Sequence, residues 1–323
     1  MADRSDPLEA PAPFTLSKFD QCSHCHKAPH QLTKPLKRCQ GCSVALYCSK
    51  ECQKAAWPVH RTVCKSDAVL PGAEPCFQRL GYPTLMTIMG ALNTWLAIHV
   101  ITFEYLANAV VWVNGGVDYN LATPRALVIH VGARKRRSDN DNPATAIFLK
   151  SVEILPKGSR VYLGDHWYKL EENRVEREPL YRKILPPNFV GLMPTVAVLE
   201  VPGYGPVACQ AQFPLFRPVG DGGKPLDEKT ITALGDITSM ISASIAIGHS
   251  YERPVIYTQA LPEVDHRVRS KKTWKKERLE KWDWDVQMTR LMRDRPESHK
   301  LKSGLGPVAL WDMFSKLCWG VST

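Results

Sequence analysis

The chain has 323 residues, 44% of them hydrophobic and 23% charged, a composition that excludes a disordered or fibrous protein and leaves material for a sizeable core. Its formal charge of +10 admits a nucleic-acid partner. Seven of the ten cysteines fall between positions 22 and 64, so the cysteines form a local chemical centre rather than a framework spread along the chain.

Residues 1 to 20 carry Pro7, Pro11 and Pro13 among small and charged residues, with no apolar run. They are expected to be a disordered lead-in without a secretory leader. The segment from 21 to 66 holds four close pairs of potential metal ligands: Cys22 and Cys25, Cys39 and Cys42, Cys48 and Cys52, His60 and Cys64. Two intervening residues make a knuckle, a tight turn that sets both sulfurs on one side. Three intervening residues place both ligands on one helix face. Eight thiolate and imidazole donors suit two closed tetrahedral zinc sites, and the spacing leaves three ways of joining the pairs. Reduced, metal-bound thiols imply the nucleus or cytoplasm.

The run Tyr47-Cys48-Ser49-Lys50-Glu51-Cys52-Gln53, with Trp57, His60 and Cys64 after it, resembles the MYND-type zinc finger. The resemblance implies interleaved sites, with Cys22, Cys25, Cys48 and Cys52 on one zinc and Cys39, Cys42, His60 and Cys64 on the other. RING fingers interleave too, but their later pairs are two-residue knuckles, which argues against ubiquitin-ligase chemistry. His24, His26 and His30 lie beside the first knuckle and read as solvated loop residues. The stretch Ser43 to Tyr47 is apolar enough for a surface strand, Ser49 is placed to cap a helix carrying Cys52, and Pro58 is expected to start a new turn with His60 and Cys64. In MYND modules that recruit partners, the equivalent strand, Gln and Trp form a groove for short proline-containing peptides. By resemblance Val44, Leu46, Gln53 and Trp57 become the peptide-contact candidates, and the partner is a protein, as for an adaptor or transcriptional co-regulator. Seven thiolates around two zinc ions would lower the net charge by about three. That, with no recognition helix in view, disfavours nucleic acid as the partner.

A linker is expected over 67–82, then an α+β domain over 83–250 and a basic, tryptophan-containing helical region over 251–323. Thr84 to Val113 is apolar enough to invite a membrane reading, but Asn93, Ala97, Glu104 and Asn108 form a small and polar stripe. The segment is therefore expected to be one long core helix ended by Asn114-Gly115-Gly116, with no membrane insertion. Ala126 to Ala133 and Ala146 to Leu155 read as strands joined by a loop holding Arg134-Lys135-Arg136-Arg137, a solvated hairpin tip or an import signal. Short strands are expected within Arg160 to Leu170 and a loop from Glu171 to Pro187. Met193 to Val201 and Pro206 to Phe213 flank Pro202-Gly203-Tyr204-Gly205 as a hairpin, and Asp227 to Ile247 reads as a second helix. The layout resembles the region beyond the finger in many fungal MYND proteins, where a helix with a Trp and, shortly after, a His leads into a sheet; here these are Trp95 and His99.

From Arg267 to Lys302 thirteen bases face six acids, with Trp274, Trp282 and Trp284 interleaved, and Ser270 is placed to cap a docked surface helix. A last helix is expected from Val308 to Trp319. No catalytic constellation emerges: there is no Asn-His dipeptide of the SET methyltransferase pocket, His130, His166 and His249 are isolated, and no phosphate loop is present. The expectation is a zinc-dependent interaction protein rather than an enzyme, with a methyltransferase relative or a nucleic-acid binder as alternatives.

Overall fold

The computed structural model describes residues 22–25, 27, 31–40, 45–64, 74–138, 140–220, 225–252, 261–271, 273–293 and 301–320. The lead-in predicted over 1–20, and with it Cys42, Val44, His26 and His30, lies outside the described residues.

The N-terminal part contains β1 (Lys37–Arg38), β2 (Leu46–Tyr47) and α1 (Lys50–Cys64). Ser49 accepts from the backbone N–H of Cys52 at 3.2 Å and so caps α1 as its position suggested. Pro58 does not start a separate turn: it sits inside α1, which runs on and carries Cys52, His60 and Cys64 together. Cys48 precedes that helix rather than sharing its face with Cys52.

After α2 (Glu74–Arg79), Thr84 opens α3 (Leu85–Ile98) with a reciprocal cap, its hydroxyl accepting from Thr87 N–H while its own N–H donates to the Thr87 hydroxyl. The single long helix expected here is two. The chain bends by 74° between α3 and α4 (Val100–Val113), at His99. No glycine or proline marks the break. Instead His99 leaves helical geometry, at φ −100° and ψ 17°, and its Nε2 lies 3.1 Å from the Ala144 carbonyl, in the turn that precedes β4. Among the described residues no single helix is long and apolar enough to cross a membrane. In α4 every residue from Ile101 to Trp112 is buried.

The polar stripe has a specific use. Asn108 donates to the carbonyl of Pro214 and accepts from the N–H of Phe216, both at 2.9 Å, and Trp112 one turn on donates to the carbonyl of Phe216 at 2.9 Å. Such bonds satisfy main-chain groups that burial would otherwise leave unpaired.

Then come α5 (Gly116–Ala122), β3 (Arg125–Ala133), β4 (Ile147–Pro156), α6 (Val161–Ile184), β5 (Phe189–Val201), β6 (Gly205–Phe216) and α7 (Glu228–Ala246). The sheet order is β4-β3-β5-β6, antiparallel in the outer pairs and parallel between β3 and β5. That parallel pair requires a crossover, and α6 supplies it. The strands and loop expected between Arg160 and Pro187 are therefore one 24-residue helix, Val161–Ile184. Strand alternation explains how both faces are filled: Ala126, Val128, Val196 and Val198 pack with Leu163, Trp167 and Leu170 of α6, whereas Leu127, Ile129, Val131, Ala197 and Leu199 join the main core with α3, α4 and α7. The protein is α+β, a small cysteine-rich finger followed by sheets framed by helices.

The basic C-terminal stretch is not the predicted surface helix. Glu263–Ser270 (β8) and Thr273–Arg278 (β9) form a hairpin that pairs with β7 (Ser250–Glu252), and the helix α8 spans only Trp284–Arg293. Opposite charges face each other across this sheet, with Lys276 2.8 Å from Glu252 and Arg278 2.8 Å from Glu263. The boundary drawn at 250 does not divide two cores, because Trp284 and Met288 of α8 and Trp311 and Phe314 of α9 (Pro307–Trp319) are buried in the same cluster as α4 and α7. Asp236 of α7 fixes this arrangement by accepting from the N–H groups of Lys302 and Ser303 just before α9, at 2.8 Å each.

Candidate metal centre

Two ligand clusters result from how the finger folds. The turn Cys22 to Cys25 folds back on β2: Ser23 N–H donates to the carbonyl of Leu46 at 2.7 Å, and Leu46 N–H donates to the Ser23 hydroxyl at 3.1 Å. This clamp brings the first knuckle beside Cys48, just past β2, and Cys52 in α1. The sulfurs of Cys22, Cys25, Cys48 and Cys52 all lie within 4.8 Å of one another, with Cys25 to Cys48 at 3.6 Å and Cys48 to Cys52 at 3.4 Å.

The second cluster joins the end of β1 to the last turns of α1. Cys39 lies 3.6 Å from Cys64, sulfur to sulfur, and its sulfur is 3.4 Å from His60 Nε2. His60 and Cys64 are one helical turn apart, as their spacing required. Tyr47 packs edge-on against the His60 ring at 5.8 Å, and Trp57 does so at 6.0 Å. Cys42, the fourth donor expected here, lies outside the described residues. His24 is exposed and belongs to neither cluster.

Both donor sets fit zinc. A tetrahedral ion with bonds of about 2.3 Å to sulfur and about 2.0 Å to nitrogen sets two sulfurs roughly 3.8 Å apart and a sulfur and a nitrogen roughly 3.5 Å apart. The four contacts of 3.4–3.6 Å fall just inside those edges. The chemistry of the free thiols points the same way. Burial pushes the Cys22 thiol up, but hydrogen bonds from the backbone of Cys25, Cys48 and His24 outweigh it and hold the group near 6. Its neighbour Cys48, sharing a proton with Cys52, is pushed up to about 12. Four sulfurs this close cannot all ionise unaided, and a divalent cation is what lets them do so. The finger also has little else to hold it: apart from cysteine ligands, Tyr47 is the one fully buried hydrophobic side chain of its cluster among the described residues.

The peptide-contact candidates divide. Trp57 is 38% exposed and Gln53 and Leu46 are half-buried, while Val44 lies outside the described residues. The backbone of Leu46 is committed to Ser23 on one side of β2, and β1 occupies the other. An incoming peptide therefore meets side chains at this position rather than a free strand edge. Sequence reasoning missed Ser23 and gave Tyr47 a place in the motif but no part in packing the site; the signal available was that each stands next to a ligand cysteine, where hydrogen bonding and shielding of the sulfur are needed.

Comparison with known proteins agrees with the site. The family model of the MYND finger matches residues 22–64. Similar proteins include the histone-lysine N-methyltransferase ASHR1 of Arabidopsis thaliana, 39% identical over 54 residues, which are 17% of this chain and 10% of that protein. The human histone-lysine N-methyltransferase SMYD3 is 42% identical over 65 residues, 19% of this chain and 13% of that one. Dauer abnormal formation protein 25 of Caenorhabditis elegans is 49% identical over 43 residues, 13% of this chain and 10% of that protein. The chain thus spans about a tenth of the length of the curated relatives it matches. No solved structure matches it at a significant level. The similarity to the methyltransferases is confined to the finger, and residues 22–64 of this chain are a MYND finger, a zinc-binding module of the protein-interaction kind.

Proposed function

We propose that the finger binds two zinc ions, one through Cys22, Cys25, Cys48 and Cys52 and the other through Cys39, Cys42, His60 and Cys64, and that the folded finger docks a proline-containing segment of a partner protein. The observation carrying the first part is the pair of donor clusters with edges of 3.4–3.6 Å. Once bound, each ion supplies the crosslink that this coreless module lacks. Native mass spectrometry of the full chain should find two equivalents of zinc, and one or none would sink the assignment.

The docking face is assigned to Leu46, Gln53 and Trp57, with Val44 beside them in sequence. Support comes from the exposure of the Trp57 indole on a helix anchored by its own metal ligands. A flat, rigid aromatic suits the pyrrolidine rings of an extended proline-containing ligand. Isothermal titration of the zinc-loaded chain with such peptides tests this: binding should disappear in Trp57→Ala with zinc content unchanged.

The chain acts as an adaptor or co-regulator of the nucleus or cytoplasm rather than as an enzyme. Three of its histidines support this reading, since each has a local structural partner: His99 the carbonyl of Ala144, His130 the carboxylate of Glu153 at 2.7 Å, His249 the ring of Trp282. Calorimetry with S-adenosylmethionine should give no heat, and saturable binding would restore the methyltransferase reading. A fluorescent fusion retained in a secretory compartment would contradict the location.

A further inference from the structure

Beside the finger, the structure contains a cleft of about 820 Å³ between β1 and the α+β domain. Its floor is one face of α3, where Thr87, Gly90, Ala91 and Thr94 recur at helical spacing and are too small to fill the space. Its rim carries Arg134, Lys135, Arg136 and Arg137, with Arg38 of the finger opposite and Trp274 of β9 as a wall.

The basic loop is braced rather than floppy. Arg136 N–H donates to the carbonyl of Leu80, and Gly81, at φ +78°, lies so close to the Arg136 carbonyl that no Cβ would fit between them. Asp141 accepts from the N–H of Arg137 at 2.6 Å and from the Ser138 hydroxyl at 3.1 Å. From the other side Arg269 of β8 grips Asn140, its guanidinium donating at 3.1 Å to the carbonyl and at 2.6 Å to the side-chain oxygen. Held in this way, Lys135 and Arg137 stay exposed, and neither side chain forms an ion pair among the described residues. Cations so placed are desolvated by a ligand at low ordering cost.

A second observation points to a ligand. Tyr82 lines the same cleft beneath the Arg136 guanidinium, which lies 5.8 Å from its ring centroid. Tyr82 is 1% exposed and its hydroxyl has no hydrogen-bond partner among the described residues. A buried hydroxyl without a partner is costly, and a carboxylate is the acceptor a basic cleft would bring to it.

We infer that this cleft binds an acidic segment of polypeptide, its carboxylates taken by Lys135 and Arg137 and one of them reaching the Tyr82 hydroxyl. A peptide is favoured over nucleic acid for two reasons. Asp141 in the lining opposes a continuous phosphate backbone but tolerates carboxylates spaced along a chain, and Trp274 alone gives no run of stacking surfaces. The choice of a peptide also rests on the finger's role in docking a protein, because Arg38 places the cleft within reach of whatever sits there.

The test uses the full, zinc-loaded chain and fluorescence anisotropy with three probes: a labelled peptide alternating Glu and Ser, the same peptide with Gln for Glu, and a single-stranded oligodeoxynucleotide of equal charge. The acidic peptide should bind, the Gln control should not, and Lys135→Glu with Arg137→Glu should weaken binding at least about tenfold. Tyr82→Phe should weaken it several-fold without lowering the melting temperature, which a purely structural tyrosine would not do. Trp57→Ala should leave acidic-peptide binding intact, so a failed finger hypothesis and a failed cleft hypothesis give different results. If the charge reversal impairs folding, Lys135→Ala with Arg137→Ala gives the same reading. Equal binding of the Gln control, no response to either double variant, or tighter binding of the oligonucleotide lost in the same variants would each overturn the proposal.

Discussion

Gln53 directs its side-chain amide at the sulfur of Cys39, 3.8 Å away, which ties a residue of the expected docking face to a donor of the second metal cluster. The amide favours the charged sulfur over the protonated one, as hydrogen bonds to a ligand atom do. Gln53→Ala should therefore reduce the affinity for one zinc of the two by roughly ten- to a hundredfold. Competition with a chromogenic chelator reads this directly. Trp57→Ala is the control, and equal loss in both variants would remove the link between Gln53 and the metal.

Zinc removal should unfold one part of the molecule and spare the other. The finger's cluster is built from metal ligands and Tyr47, whereas the main core gathers side chains from the sheet and from α2 to α5 and α7 to α9. With chelator present, the main thermal transition should move by only a few degrees while the finger's signals collapse. Trp57, the single tryptophan between residues 22 and 64, reports on the finger. A joint collapse of both parts would show that α3 depends on the finger it touches through Met86.

The histidine pair makes stability fall in acid. Burial lowers His99 and His249 from the usual 6.5 to about 4, with Arg267 and His249 adding repulsion at His99 and His266 adding it at His249. A lowered folded value means that these groups are neutral in the core and protonate more readily when unfolded. Their contribution is complete above pH 6.5 and is lost as the pH falls toward 4. Between pH 7 and pH 5 the loss is roughly 2 kcal/mol per histidine. Urea midpoints at the two pH values should differ less in His249→Gln than in the parent chain; an unchanged difference would falsify the assignment.

Asp236 should be among the costliest exchanges in the domain. It is 3% exposed and accepts from two consecutive backbone N–H groups, Lys302 and Ser303, that no neighbouring strand serves. Asp236→Ala leaves both donors unpaired and should cost about 2–4 kcal/mol. Thermal unfolding measures this, and proteolysis near residue 300 should quicken in parallel. A loss below about 0.5 kcal/mol would mean that α9 docks through its aromatic contacts alone.

Local chemistry was the most legible part of this chain. Ligand spacing within a knuckle or a helical turn is set by local geometry, so Cys22 with Cys25 and His60 with Cys64 could be read as pairs before any fold was known, whereas Cys48 stands before α1 and does not share a helix face with Cys52. The β5–β6 hairpin announced itself through Pro202-Gly203-Tyr204-Gly205, whose two glycines both adopt positive φ. What escaped were elements specified by charge. The helix α6 has no sustained apolar stripe and contains Pro179 and Gly164, yet Arg174 pairs with Glu171 and Glu178, and Arg182 with Glu178, at helical spacing. Those three- and four-residue intervals were the available signal. The β8–β9 turn was hidden differently: Lys271 takes the left-handed conformation, at φ 54°, that a glycine would have advertised. Its neighbouring charges then resembled the polar side of a helix, although they pair across strands.

The contacts of Asn108 and Trp112 with the end of β6 reach beyond folding energy. A sheet flank is a place where another molecule could extend the ladder, and aggregation often begins at such an opening. From Pro214 to Phe216 the outward main-chain groups are already claimed by α4, and Pro214 has no N–H to offer. Two side chains one helical turn apart thereby close that seam to a strand from a second molecule, leaving docking to surfaces with side-chain chemistry of their own.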